Sequence, residues 1–248
     1  MKYFIANFKL NTSNELLDEF AKQLTYKKEQ QTKTKLILAI NDLYILKNQE
    51  RFNALQIPLY TQNVSNQING AYTGQTSVFQ LIENNIPGTL IGHSEQRVYS
   101  SQNEIDQKTK LALKQGLQVV LCVGESLVVY EQKQSLEFVI NQIKEVVNYA
   151  NYKNLIIAYE PVFAIGTNQI ASSEHIDYMI KGIKGYFYNC TNFPIPVLYG
   201  GSVKVDNLAD LMNNKAIDGV LVGSASLDVN NVNNMVDILS NIDETNDA

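Results

Sequence analysis

Short, nearly continuous apolar runs alternate along this chain with longer stretches in which apolar residues recur every three or four positions. The runs read as strands buried on both faces, and the spaced stretches read as amphipathic helices. Phe4 to Phe8 is the first strand and leads to Lys9. Thr12 with Glu15 three residues on forms a capping box, and Leu16, Leu17, Phe20, Ala21 and Leu24 share one face of the helix behind it. Lys35 to Ile40 is a second strand, with Asn41 and Asp42 placed to cap a helix over Tyr44 to Phe52. Ile57 to Tyr60, Thr89 to Ile91, Val119 to Val123, Ile156 to Ala158, Val197 to Tyr199 and Val220 to Val222 complete the strands. Helical spacing returns at Val78 to Ile82, through Ile105 to Ala112 with Gly116 as a left-handed cap, from Leu136 to Val147, and at Ile176, Ile180, Ile183 and Phe187. A further helical segment can start at Ser94. Gln62 to Ser77 has neither period and is longer than connections usually are, a property of functional loops.

Eight strands, each followed by a helix or helical segment, predict a closed (β/α)8 barrel of parallel strands spanning residues 1–248 as one domain. No linker or composition break divides it, and the polar tail after the last helix, NIDETNDA, is expected to fray.

Composition narrows the function. No apolar run reaches the roughly 18 residues of a membrane span, and the N-terminus lacks a signal peptide's apolar centre, so a cytoplasmic protein is expected. The net charge of −5 carries no basic cluster, which argues against nucleic acid as a partner. Two cysteines, Cys122 and Cys190, make no disulfide framework, and no Cys/His spacing suits a metal.

Barrels of this kind carry their chemistry at the C-terminal ends of the strands. There the sequence sets Glu160, held extended by Pro161 ahead of the apolar segment Val162, Phe163 and Ala164, which reads as the start of a lid. Asn7 and Lys9, two positions apart, are expected to point the same way into the barrel mouth. His93 follows Gly92, and a helix beginning at Ser94 would hold its imidazole neutral, although a capping role fits the same position. His175, in a helix first turn, reads as solvated. Tyr199-Gly200-Gly201-Ser202 and Leu221-Val222-Gly223-Ser224 end the last two strands; with Gly166 they offer a phosphate backbone N–H groups in a cradle without cationic side chains.

Six blocks, ANFKLN from Ala6, IGHSEQR from Ile91, CVGES from Cys122, AYEPVFAIGT from Ala158, YGGSV from Tyr199 and DGVLVGSASL from Asp218, make the chain resemble the triosephosphate isomerases over nearly its whole length. The resemblance implies the TIM-barrel form of the fold and a cofactor-free interconversion of dihydroxyacetone phosphate and D-glyceraldehyde 3-phosphate in glycolysis and gluconeogenesis. It implies Glu160 as the base, His93 as the electrophile that polarises the carbonyl, Lys9 as the cation that offsets enediolate charge, and Asn7 as a substrate-orienting amide. The glutamate base beside a neutral histidine under a closing loop is a known pattern in this family. Glu95 resembles the acid paired with Lys9; Gly166, Ser202, Gly223 and Ser224 resemble the phosphate-binding set, with Tyr199 and Cys122 in support. A homodimer is implied, with the Gln62 to Ser77 loop entering its neighbour by the tip near Thr73.

The chain departs from the family's pattern at several positions. Phe8 and Phe163 replace tryptophans, Gln75 and Gln96 replace a Glu and an Arg, Asn168 stands where the lid has glycine, and Asn41-Asp42 where two prolines are common. The segment after Arg97 is slightly short, and Leu127 to Ser135 lacks a charged turn. A sugar-phosphate barrel of the indole-glycerol-phosphate or ribulose-phosphate type, and a barrel that only binds, are the rival readings. The set Asn7, Lys9, His93 and Glu160 argues against both.

Overall fold

The computed structural model describes residues 1–147, 149, 152–164 and 171–242. The first half of the chain forms β1 (Lys2–Asn7), α1 (Asn14–Gln23), α2 (Lys28–Gln31), β2 (Thr34–Ala39), α3 (Asp42–Ala54), β3 (Leu59–Tyr60), α4 (Val78–Glu83), β4 (Gly88–Ile91) and α5 (Gln102–Lys114). The second half forms β5 (Gln118–Val123), α6 (Leu127–Glu131), α7 (Ser135–Val147), β6 (Leu155–Tyr159), α8 (Ser173–Thr191), β7 (Val197–Tyr199), α9 (Val205–Leu211), β8 (Gly219–Val222) and α10 (Val229–Asn241). All strand pairs are parallel, in the order β3-β2-β1-β8-β7-β6-β5-β4. A parallel bridge between Thr61 and Thr89 joins the two ends and closes the ring. It is made by the Thr61 N–H to Gly88 O at 3.2 Å and the Leu90 N–H to Thr61 O at 2.9 Å.

Strand side chains alternate between two buried environments, which is why the runs are apolar at every position. Ile5, Ile37, Ala39, Tyr60, Leu90, Val120, Cys122, Ile156, Ala158, Leu198 and Leu221 fill the barrel interior. Their strand neighbours, among them Phe4, Ala6, Leu36, Leu121, Ile157, Tyr159, Tyr199 and Val220, face outward under the helices. The inward parity reaches Asn7 at the end of β1 and, one step past their strands, Glu160, Gly200 and Gly223, so four of the expected site positions follow from register alone.

Local chemistry explains the element ends and corrects two expectations. Ser13, and not Thr12, caps α1 by accepting from the Leu16 N–H, while the Thr12 hydroxyl accepts from the Asn41 N–H at 3.2 Å. After β4 the chain makes a hydrogen-bonded turn over residues 94–99 where a helix was expected; α5 starts only behind the Ser101 cap. Asn41 caps α3 as expected, and Gly116 takes φ +83° behind α5. No helix among the described residues is long and apolar enough to cross a membrane.

Candidate active site

At the C-terminal end of the barrel a cavity of about 770 Å³ is lined by Asn7, Lys9, His93, Glu160, Ser202, Gly223 and Ser224, among others. Glu160 is reached by inward parity from Ile156 and Ala158, and its N–H donates to Val123 O at 2.7 Å. A Cβ on Gly200 would lie 2.7 Å from the Glu160 Cγ, so a side chain there would displace the carboxylate. Burial pushes the Glu160 carboxyl above its ordinary range, against the opposing pull of His93, Lys9, the Cys122 thiol and the Ser94 N–H. Burial likewise pushes the Cys122 thiol well up, with Glu160 adding to the shift.

His93 lies at outward parity, but Gly92 at φ +72° turns the chain and returns its ring to the cavity. Its Nδ1 accepts the Glu95 N–H at 3.3 Å, which leaves the ring proton on Nε2, and Nε2 stands 3.3 Å from Glu160 Oε1. The donor that selects this tautomer is therefore one turn amide; the expected helix is not there to supply a dipole.

Lys9 reaches the mouth by another route than strand alternation. β1 ends at Asn7, Phe8 is helical at φ −74°, and Lys9 adopts φ +50°, a left-handed conformation unusual for a side-chain-bearing residue. The turn is braced because the Lys9 N–H donates to Asn7 Oδ1 at 3.1 Å, and Gln62 Nε2 donates to Asn7 Oδ1 at 3.1 Å and to Lys9 O at 3.0 Å. With Oδ1 so engaged, the Asn7 amide is left to present its NH2 group. Lys9 Nζ meets Glu95 Oε1 at 2.8 Å, and although burial works against it, this contact leaves the Glu95 carboxyl below its ordinary value.

Ser202, Gly223 and Ser224 lie across the cavity, and the Ser202 hydroxyl donates to Ala164 O at 2.7 Å, tying the loop after β7 to the segment after β6. Lys204 lines this end as well, so the cradle is not free of cations. Tyr199 faces outward with its buried hydroxyl unpartnered among the described residues. Gly166 and Asn168 lie outside the described residues. His175 is not solvated: its ring is half-buried and its Nε2 stands 3.0 Å from Glu125 Oε1. Sequence reading singled out neither Gln62 nor Glu125, although Gln62 begins the long loop and Glu125 stands within one of the six blocks. Among the described residues no group of three or more His, Cys, Asp or Glu is placed to hold a metal.

Comparison with known proteins decides the family. The sequence model described as "Triosephosphate isomerase" matches residues 2–239. The chain belongs to the triosephosphate isomerase family. It is 48% identical to the triosephosphate isomerase of Ureaplasma parvum, over 96% of this chain and 99% of the relative. It is 36% identical to that of Mycoplasma pneumoniae over 92% and 95% of the two chains, and 35% identical to that of Emericella nidulans over 91% and 94%. As a triosephosphate isomerase it interconverts dihydroxyacetone phosphate and D-glyceraldehyde 3-phosphate, a reaction of glycolysis.

Proposed function

We propose that the residues around this cavity carry the isomerisation through an enediolate, with Glu160 as the base. Its carboxylate takes the proton from the carbon beside the substrate carbonyl, and the electron pair moves onto the carbonyl oxygen. His93 Nε2–H donates to that oxygen and exchanges protons with its neighbour, Lys9 offsets the developing charge, and the Asn7 amide orients the same oxygen. Glu160 then returns its proton to the adjacent carbon. The backbone around Ser202, Gly223 and Ser224, with Gly166 in the lid, binds the phosphate. Glu95 holds Lys9, and Cys122 and Tyr199 support the site from below and behind.

The observation that carries this reading is the 3.3 Å approach of His93 Nε2 to Glu160 Oε1, with the imidazole proton directed to the cavity by the Glu95 amide. An upward-shifted carboxyl is also a stronger base than an ordinary one. Glu160→Asp withdraws the carboxylate by about one bond length and should lower kcat on the order of 100-fold with KM little changed. Lys9→Met should harm both parameters, because Lys9 meets charge in bound substrate and in the intermediate alike. A coupled assay with glyceraldehyde 3-phosphate reads both, and near-normal kcat in Glu160→Asp would remove Glu160 as the base.

We further infer a cytoplasmic homodimer. Leu10, Leu43 and Tyr99 are 91%, 88% and 80% exposed, and with Val98 and Tyr72 they stand on segments after the adjacent strands β1 to β4. The loop tip at 71–75 is also exposed, while its base is pinned by the Ser65 N–H to Thr76 O at 2.8 Å. An apolar surface of this kind beside a projecting loop fits a second copy of the chain.

A further inference from the structure

On the helix side of β6, facing away from the cavity, lies a polar cluster that the reaction does not use. Glu125 is fully buried, and its Oε1 accepts the Tyr159 hydroxyl at 2.9 Å and stands 3.0 Å from His175 Nε2. Nε2 lies 3.0 Å from the Tyr159 oxygen as well, so the three atoms form a closed triangle. Glu125 Oε2 is buried without a hydrogen-bond partner among the described residues. A buried carboxylate left with one oxygen bare requires every available donor on the other. His175 Nε2 must therefore carry its proton and donate. Tyr130 packs edge-on against the His175 ring at 4.7 Å, with Phe163 on Tyr130 at 4.5 Å, so aromatic rings flank the cluster.

The bonds of Glu125 converge on the base. Its carbonyl accepts the Val162 N–H at 3.0 Å, and its carboxylate holds the Tyr159 hydroxyl. Tyr159 and Val162 flank Glu160-Pro161, so one residue holds the chain on both sides of Glu160, through the Tyr159 side chain on one side and the Val162 main chain on the other. The neighbouring Gly124 is clamped by Gln142, which accepts its N–H at 2.9 Å and donates to its carbonyl at 3.1 Å. His175, in the first turn of α8, is the remaining member of this frame and is the donor that holds the Glu125 carboxylate from outside the sheet.

We propose that His175 is a positioning residue for Glu160: by donating to the buried Glu125 carboxylate it fixes that side chain, and through Tyr159 and Val162 it sets where the Glu160 carboxylate stands relative to His93. The proposal rests on the reading of Glu160 as the base. It assigns to a helix residue outside the cavity a share of kcat and almost none of substrate binding.

The test compares His175→Leu, which keeps volume without a donor, with His175→Gln, whose amide can donate to Glu125. Kinetics with glyceraldehyde 3-phosphate are measured on the full chain and normalised to the folded fraction. His175→Leu should lower kcat by about ten-fold or more with KM changed less than about two-fold, since a misplacement approaching 1 Å costs up to about 100-fold. His175→Gln should recover most of the loss. Wild-type kcat per folded molecule in His175→Leu, or a His175→Gln no better than His175→Leu, overturns the proposal. Should His175→Leu not fold, His175→Asn, polar but too short to reach Glu125, is expected to show the same loss, and wild-type kcat there overturns it equally. Glu160→Gln in the same assay separates the two readings. Retained activity in it removes Glu160 as the base, whereas an inactive Glu160→Gln beside an unaffected His175→Leu removes only the positioning role.

Discussion

Gly124 and Glu160 are packed so closely that a Cβ on Gly124 would lie 1.7 Å from the Glu160 carbonyl oxygen. No side-chain rotation relieves that clash, because both groups are backbone. Gly124→Ala must move either the β5 end, which Gln142 holds, or the strand end that carries the carboxylate. We expect kcat to fall on the order of 100-fold with a smaller change in KM, since the loops after β7 and β8 proposed to bind the phosphate are separate. Steady-state kinetics returning wild-type kcat would mean that the two strand ends separate without moving the carboxylate.

Glu160 also taxes the fold that holds it. Burial raises its carboxyl in the folded state, so its contribution to stability is fully present below the unfolded value and is lost as pH rises through the folded one. Glu160→Gln removes the ionisation and keeps the shape. The variant should be inactive and melt higher at neutral pH, by ~2–4 °C for each kcal/mol recovered, and its advantage should vanish near pH ~4. Calorimetry across pH reads the sign, and a Gln variant less stable than the parent at pH ~7 would contradict the burial argument.

At Lys9 the backbone and the side chain ask for different residues. A left-handed residue with a Cβ costs about 1–2 kcal/mol, a strain that glycine avoids. Lys9→Gly and Lys9→Ala should both lose activity, yet Lys9→Gly should be the more stable of the two by about 1 kcal/mol. Denaturant unfolding distinguishes them, and equal midpoints would show that the Asn7 and Gln62 bonds, not the conformation, set the energy of this turn.

Much of the site was readable because strand parity carries it. Once Ile156 and Ala158 are inward, Glu160 must be, and Asn7 follows from Ile5 in the same way. Lys9 and His93 break the rule, each through a positive φ, at Lys9 itself and at Gly92, which an apolar pattern cannot register. Thr12 and Ser13 are both competent caps, and only the tertiary bond from Asn41 to Thr12 decides between them. His175 looked solvated because it stands in a helix first turn; the carboxylate it meets, Glu125, is 50 positions away.

The exposed apolar side chains after β1 to β4 carry a prediction about assembly. Leu43→Glu with Tyr99→Glu places charges where a second copy would have to desolvate them, at a cost of several kcal/mol. Sedimentation at micromolar concentration should show a dimer for the parent and a monomer for the double variant, with lower activity in the monomer. A parent that sediments as a fully active monomer would remove the dimer.

The two cysteines differ in a way that reaches past catalysis. Cys122 is wholly enclosed beneath Glu160, with its thiol pushed well up, while Cys190 is exposed at the far end of α8. A thiol-specific reagent in excess therefore finds one sulfur in the native molecule and a second only when the barrel opens. The rate at which that second sulfur becomes reactive times the opening of the barrel interior in a native population, without denaturant or an engineered label.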